Sequence, residues 1–128
     1  MAGVCLQVCV ACGEAAGGEL PAGEPSDGRR LYEALAATAG NDPAVTVAPV
    51  DCFAVCDRPV TVAFRAPGKW SYLIGDVDPD GDVAAILTAA RAVAASPHGV
   101  PALAERPPFF RKGVIARMPP LPGDPDPA

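Results

Sequence analysis

The sequence predicts a single small α/β domain, and three observations support this prediction. The chain has 128 residues, which is enough for one sheet with helices packed against it. Short segments with the apolar character of strands cover residues 4–10, 45–50, 59–64 and 70–74. Two segments with apolar residues at helical spacing begin near Asp27 and near Asp80 or Asp82. Two main helices on a small mixed sheet of about four strands form an arrangement of the thioredoxin-like type.

The first strand and the first helix follow from local patterning. A strand from Val4 to Val10 places Cys5, Gln7 and Cys9 on one side and the intervening apolar residues on the other. After a glycine-rich loop, Asp27 is an acidic N-cap candidate for a helix. The residues at helical spacing that follow it are Leu31, Leu35 and Thr38. A Gly-Asn-Asp-Pro segment is expected to end this helix.

The rest of the chain supplies a hairpin and a second helix. The segments from Pro59 to Phe64 and from Trp70 to Ile74 form a predicted hairpin, with its turn at Pro67 and Gly68. The predicted apolar face of the second helix consists of Val83, Ile86, Leu87, Ala90 and Ala94. A further short strand is expected from Gly113 to Arg117. We expect residues 1–120 to form the domain and residues 121–128 to be a disordered tail.

The charge distribution bears on partners and location. The net charge is −5, and residues 1–64 carry eight acidic against three basic residues. An acidic domain repels nucleic acid backbones, but it can dock on a basic patch of a protein partner. The N-terminus lacks the basic region and long apolar core of a signal peptide, and no apolar run approaches the roughly 20 residues that span a bilayer. We therefore expect a cytoplasmic protein that binds neither nucleic acid nor membranes.

Four of the five cysteines form two tight pairs, Cys9 with Cys12 and Cys52 with Cys56. Each pair lies where a predicted strand gives way to a loop. If the two strands are parallel neighbours, the pairs meet at one edge of the sheet, and the four thiolates can converge on one centre. Asp51 and Asp57 flank the second pair and make its surroundings more negative, which favours a bound cation over free thiolates.

Three kinds of site fit these pairs: an iron–sulfur cluster, a four-cysteine zinc site and a thiol redox pair. Soft thiolate ligands select zinc, copper(I) or an iron–sulfur cluster, and spacing alone favours an iron–sulfur cluster and a four-cysteine zinc site equally. A thiol redox pair at Cys9 and Cys12 is less favoured, because the CxxC of such proteins opens a helix, whereas a long glycine-rich loop follows Cys12 here.

Cys5 stands apart from the pairs. It faces the same side of the strand as Cys9, but four extended residues separate the two by about 13 Å. We interpret Cys5 as a small buried thiol. The alternative is a strand that ends before Cys9, with Cys5 and Cys9 as the N-terminal pair.

Four blocks of the sequence resemble the DUF1636 family, whose members are small bacterial proteins described as predicted metal-binding. Two blocks contain the cysteine pairs, at 8–13 and 50–60, and the others lie at 68–76 and 106–119. The resemblance covers almost the whole chain up to Pro120.

The DUF1636 family is in turn similar to thioredoxin-like [2Fe-2S] ferredoxins, which use an N-terminal cysteine pair and a later Cys-x3-Cys followed by proline. The resemblance therefore implies a [2Fe-2S] electron-transfer protein. The implied ligands are Cys9, Cys12, Cys52 and Cys56. It also implies a redox partner protein and a homodimer. Because relatives are often encoded beside cobalt-chelation and cobalamin-synthesis genes, it implies service to that pathway.

Other motifs point away from substrate chemistry. The segment from Asp76 to Gly81 copies the first half of a calcium loop, but Leu87 stands where a bidentate glutamate belongs, so we interpret the acids as a turn and an N-cap. His98 lies in a loop pattern and is expected at the surface. The basic residues between Arg106 and Arg117 are expected to form a solvated strip or to fold back onto the acidic half. No nucleophile–base pair is present, so we expect no enzymatic activity.

Overall fold

The computed structural model of the protein describes residues 3–10, 26–40, 42–54, 58 and 60–122. Its centre is a five-stranded mixed sheet of order β2-β1-β3-β4-β5. The strands are β1 (Val4–Cys9), β2 (Val45–Val50), β3 (Val62–Arg65), β4 (Ser71–Ile74) and β5 (Val114–Met118). β1 and β2 are parallel, and the other neighbouring pairs are antiparallel.

The helices pack on one face of this sheet. They are α1 (Asp27–Ala39), α2 (Val83–Ala95) and the short α3 (Phe109–Lys112). Alternate residues of β1, among them Leu6 and Val8, are fully buried against this layer. Leu31 and Leu35 of α1 and Ile86 of α2 join the same hydrophobic core. Apolar residues recur every second position in the strand and about every 3.6 positions in the helices, so the apolar faces of strand and helices meet in one core.

Several predicted details of the elements were wrong. Ser26, rather than Asp27, caps α1: its hydroxyl accepts a hydrogen bond from the Arg29 N–H at 3.0 Å. Thr38 is exposed, and Ala39 faces the core in its place. The sheet has five strands rather than about four, because the short strand expected near Gly113 completes its edge. Helix α3 has no counterpart among the predicted elements.

The aromatic side chains of α3 fill the core beneath β3 and β4. The Phe110 ring stacks on Phe64 with centroids 5.2 Å apart and meets Tyr72 edge-on at 4.8 Å. The Arg106 guanidinium lies over the rings of Tyr72 and Phe110, and its Nε donates to the Pro101 carbonyl. Such a cation packed on aromatic rings is part of the fold. This member of the basic stretch therefore folds back onto the domain.

The opposite face of the sheet remains partly open among the described residues. A groove of about 380 Å³ crosses it, lined by Cys5, Gln7, Arg65, Met118 and Leu121, among others. Leu121 lies at the start of the predicted tail and is 70% exposed. The predicted disordered tail comprises residues 121–128, of which residues 123–128 lie outside the described residues.

Lys69 in the β3–β4 turn is a buried lysine. The residue is only 2% exposed, and its Nζ donates to the carbonyl oxygens of Ala94 at 2.7 Å and Val93 at 3.4 Å. Both acceptors lie in the last turn of α2, where carbonyl groups lack helical partners and the helix dipole favours a cation. Lys69 therefore has a structural role next to the turn that the sequence predicts at Pro67 and Gly68.

Burial lowers the pKa of Lys69. At pH values between this lowered pKa and the ordinary lysine pKa of about 10.4, the unfolded chain binds more protons than the folded protein. The contribution of Lys69 to the free energy of unfolding therefore increases with pH in this range. We expect the free energy of unfolding of the wild type to rise relative to that of Lys69→Met as pH increases through this window. Urea denaturation of both proteins at several alkaline pH values measures the difference. A difference in the free energy of unfolding that stays the same at every pH would contradict a lowered pKa of Lys69.

The remaining sequence motifs have structural roles. The Asp78 carboxylate accepts a hydrogen bond from the Asp80 N–H, and the Asp82 carboxylate accepts one from the Asp78 N–H, so the acids form a turn leading into α2. Leu87 is buried in the core. His98 is exposed, as expected.

In the described part of the chain, no helix has the length and apolar character needed to cross a membrane.

Candidate metal centre

The parallel pairing of β1 and β2 brings one cysteine of each pair to the same edge of the sheet. Cys9 is the last residue of β1 and lies opposite Val50, the last residue of β2. Cys52 follows two residues after Val50. The Cys9 Sγ contacts the carbonyl oxygen of Asp51 at 3.9 Å, so the Cys9 side chain points toward the segment that carries Cys52. The predicted parallel pairing of the two strands is confirmed, and it places Cys9 and Cys52 at adjacent strand ends.

The backbone at Cys9 is held from both sides. Its N–H donates to the Thr61 carbonyl at 3.1 Å, on the β3 side. The next N–H, of Val10, donates to the Val50 carbonyl at 2.9 Å, on the β2 side. Cys9 itself is 2% exposed. Because hydrogen bonds on both sides restrain the chain here, the Cys9 thiol has a well-defined position at the edge of the core.

The N-terminus of α1 presses against this point. The Ser26 hydroxyl donates to the Val10 carbonyl and also caps the helix. Gly28, in the first turn, lies so close to β1 that a Cβ on it would stand 1.9 Å from the Cys9 carbonyl oxygen. Only glycine permits this approach. Ser26 and Gly28 therefore fix α1 against the cysteine-bearing end of β1.

The Cys52 segment makes a tight turn that aims a backbone donor at the sulfur. The Ala54 N–H donates to the Cys52 Sγ at 3.1 Å. Ala54 has φ +63°, in the left-handed region that costs a residue with a Cβ about 1–2 kcal/mol. Cys52 is exposed, in contrast to Cys9. An N–H directed at sulfur stabilises negative charge there, so the turn suits a thiolate.

Arg58 anchors the chain after the second cysteine pair. Its Nε and one terminal nitrogen both donate to the same carboxylate oxygen of Asp76, at 2.9 Å and 2.7 Å. The Asp76 N–H in turn donates to the Arg58 carbonyl at 3.1 Å. Asp76 has φ +57°, a conformation that aspartate adopts more readily than most residues. This pair ties the end of the Cys52 segment to the turn that follows β4.

The other two predicted ligands, Cys12 and Cys56, lie outside the described residues. Within the described ranges, no three or more His, Cys, Asp or Glu side chains are grouped to hold a metal ion. The residues that are described fit a thiolate-bound centre: Cys9 and Cys52 lie at adjacent strand ends, and the Ala54 N–H points at one of the sulfurs. The four-cysteine ligand set remains a prediction.

Cys5 lies at the other end of β1, on the open face of the sheet. It is half-buried rather than fully buried as expected. Burial raises the pKa of its thiol, and the positive charge of Arg65 opposes that shift. A raised pKa keeps the thiol protonated, and metals bind the thiolate. Because β1 continues through Cys9, the alternative in which the strand ends before Cys9 has no support from the strand boundaries.

Sequence reasoning missed the residues that position the cysteines. Gly28, Ala54 and Arg58 had no predicted role, Asp76 was assigned only to a turn, and Ser26 was passed over for Asp27. One signal was available: Ser26 precedes an acidic residue and a helical pattern, as N-caps do. The roles of Gly28, Arg58 and Asp76 depend on contacts between residues far apart in the chain, and the left-handed turn at Ala54 has no signal in an alanine. No local pattern identifies glycine as the residue that must touch another strand.

Comparison with known families places the chain. The sequence model of DUF1636, described as a protein of unknown function, matches residues 6–120. The chain belongs to the DUF1636 family. The match spans the region containing the cysteine pairs and all of the described helices, and it confirms the resemblance identified from the sequence blocks. A comparison with curated protein sequences found no match.

Solved structures similar to this member of the family are ferredoxins. A thioredoxin-like [2Fe-2S] ferredoxin from Aquifex aeolicus is 21% identical and has a TM-score of 0.53, with 96% of this chain and 98% of that chain covered. A crystal structure of the wild-type thioredoxin-like [2Fe-2S] ferredoxin from Aquifex aeolicus is 20% identical and has a TM-score of 0.55, with 91% of this chain and 99% of that chain covered. At this identity the likeness establishes the fold, which is thioredoxin-like as the sequence predicted.

Proposed function

We propose that the protein is a small electron carrier whose four paired cysteines hold a [2Fe-2S] cluster. The observation that carries this proposal is the placement of Cys9 and Cys52 at neighbouring parallel strand ends, in a fold shared with thioredoxin-like [2Fe-2S] ferredoxins. The proposed ligands are Cys9, Cys12, Cys52 and Cys56. Soft thiolates at short spacing are the ligands that such clusters use.

The residues around the proposed site have separable tasks. A [2Fe-2S] cluster, when bound, accepts and releases a single electron. Ser26 and Gly28 hold the end of β1, and with it Cys9, in a fixed position. The Arg58–Asp76 pair restrains the chain after Cys56. Burial of Cys9 shields one side of the site from water, whereas the exposed Cys52 marks the side nearest to a partner protein.

A carrier of this kind needs a protein partner rather than a substrate pocket. Asp51, beside Cys52, is exposed, and the N-terminal half of the chain is acidic. We therefore propose that the surface around Cys52 docks on a basic patch of a redox partner, because opposite charges steer such encounters. Service to cobalt chelation, formation of a homodimer, a cytoplasmic location and the absence of enzymatic activity stay predictions.

A redox titration tests the proposal. The protein, purified without oxygen, is reduced stepwise with dithionite while its visible spectrum is recorded. We expect bleaching that follows a one-electron curve and reverses fully on reoxidation. A four-cysteine zinc protein would show no visible change, because zinc has no redox chemistry. Reduction that needs two electrons per chain and converts a disulfide to thiols would support a thiol redox protein instead.

A further inference from the structure

A groove crosses the face of the sheet that the helices leave open. Cys5 and Gln7 of β1 line it, since they alternate along the strand with residues that the helices bury. Arg65 at the end of β3 and Ser71 at the start of β4 line it as well. These residues lie at the end of the sheet away from Cys9, the last residue of β1. The groove is therefore separate from the candidate metal centre.

The chain itself runs into this groove after β5. Met118 ends β5, and the three residues that follow it, Pro119, Pro120 and Leu121, all line the groove. Met118 and Leu121 are two of the three large hydrophobic residues that are exposed in the described part of the chain, at 50% and 70%. Exposed apolar side chains grouped at one groove favour a cover for it. The segment that follows directly, residues 122–126, reads Pro-Gly-Asp-Pro-Asp.

Arg65 gives the groove a positive charge. It is exposed, and it lies directly across from Cys5 in the antiparallel pairing of β1 and β3. Four ion pairs form within the described residues, and none of them includes Arg65. Lys69 is the other cation among the described lining residues, but its Nζ is bound by carbonyl oxygens of α2. An acidic side chain is therefore the complementary partner for Arg65.

The distance from β5 to Arg65 agrees with the position of the first acidic residue after Leu121. Arg65 lies on β3, two strands away from β5, which is about 10 Å at the usual spacing of strands. A proline-rich segment favours the polyproline II conformation, which advances about 3.1 Å per residue. The three residues from Leu121 to Asp124 therefore span about 9 Å. Proline also reduces the conformational entropy that such a segment loses when it becomes ordered.

We propose that residues 122–126 form a strap across the open face of the sheet, in which the Asp124 carboxylate pairs with the Arg65 guanidinium. The strap covers the apolar groove and closes it to other chains. It also shields Cys5 from oxidants and electrophiles, which attack accessible thiols most readily. Composition alone predicted disorder for these residues, but the attachment at Leu121 holds the segment at high effective concentration beside an unpaired cation. The proposal does not depend on what the other cysteines bind.

The test measures how fast iodoacetamide alkylates Cys5 in the native protein, with the modified site assigned by fragment-ion mass spectrometry. Asp124→Asn weakens the strap and should raise the rate at Cys5 about threefold, since an exposed ion pair shifts such an equilibrium only modestly. Asp126→Asn is the matched control. It removes the same charge two residues further on, and in polyproline II that position points in a different direction, so the wild-type rate is expected. The ratio of the two variants' rates should fall toward one in about 1 M salt, which screens exposed charges.

A coupling measurement separates the ion pair from a general effect of charge on the thiol. In the Arg65→Gln background, Asp124→Asn should no longer change the alkylation rate. Equal rates for Asp124→Asn and Asp126→Asn, raised or not, overturn the strap, and so does an effect of Asp124→Asn that persists without Arg65. Protection of Cys5 that increases with protein concentration overturns it as well, and assigns the groove to a second copy of the chain.

Discussion

Serine at any one of the four paired cysteines is expected to empty the centre or destabilise it severely. Serine offers a hard, poorly ionised hydroxyl in place of a soft thiolate, and a centre held by four ligands loses much of its affinity when one is removed. We expect Cys9→Ser and Cys52→Ser, at the two strand ends that the structure describes, to lose most of the bound metal and the visible absorption. The same result is expected for Cys12→Ser and Cys56→Ser. Metal analysis and the visible spectrum measure both quantities.

Cys5→Ser is the matched control, because Cys5 lies on β1 with Cys9 but at the opposite end. It should keep the full metal content and cost about 1 kcal/mol of stability, since the thiol is only half-buried. A result in which Cys5→Ser loses the centre while Cys12→Ser retains it would replace Cys12 by Cys5 in the ligand set. It would also mean that β1 ends earlier when metal is bound.

Gly28→Ala is expected to destabilise the protein by about 3 kcal/mol or more, near or above the upper end of the usual cost of overpacking. The added Cβ would lie 1.9 Å from the Cys9 carbonyl oxygen, which is backbone and cannot rotate away. Either α1 or the end of β1 must move. Because that movement displaces Cys9, the metal content should fall together with stability. Urea denaturation of the metal-free protein separates the loss of stability from the loss of ligand geometry.

Glu33→Ala provides the control for Gly28→Ala. Glu33 lies on the exposed side of the same helix, and alanine has a high helix propensity, so this variant should change stability by less than about 0.5 kcal/mol. If Gly28→Ala unfolds at the same urea concentration as Glu33→Ala, α1 does not press on Cys9 in solution. The positioning role of Ser26 and Gly28 would then be wrong.

The fold was largely predictable, because the periodic spacing of apolar residues marks the strands and helices, and turn-forming residues mark their ends. Residues 45–50 form β2 as expected, and Val4 to Val10 differs from β1 by a single residue at its end. The first helix was placed correctly, but Thr38 was assigned to the buried face that Ala39 occupies. The spacing of Leu31 and Leu35 sets the face of the helix, and only the sheet beneath it decides which neighbouring position is covered. Such details depend on tertiary packing, so local sequence patterns do not reveal them.

The position of the candidate site at two neighbouring strand ends was predictable, but the residues that support these strand ends were not. The approach of Cys9 and Cys52 follows from parallel strands, which the order of elements suggested. The Arg58–Asp76 pair joins residues 18 positions apart, and Gly28 touches β1, which lies much earlier in the chain. The left-handed conformation of Ala54 has no sequence signal, because alanine is not a residue that favours positive φ. Contacts of this kind emerge only when the chain is folded.

Metal analysis of the native protein tests the central claim most directly. The protein is expressed with ample iron, purified without oxygen, and assayed together for iron, acid-labile sulfide and zinc. The proposal predicts a coloured protein with about two irons and two sulfides per chain and little zinc. A colourless protein with about one zinc per chain and no sulfide would contradict it, and would assign the same cysteines to a structural zinc site.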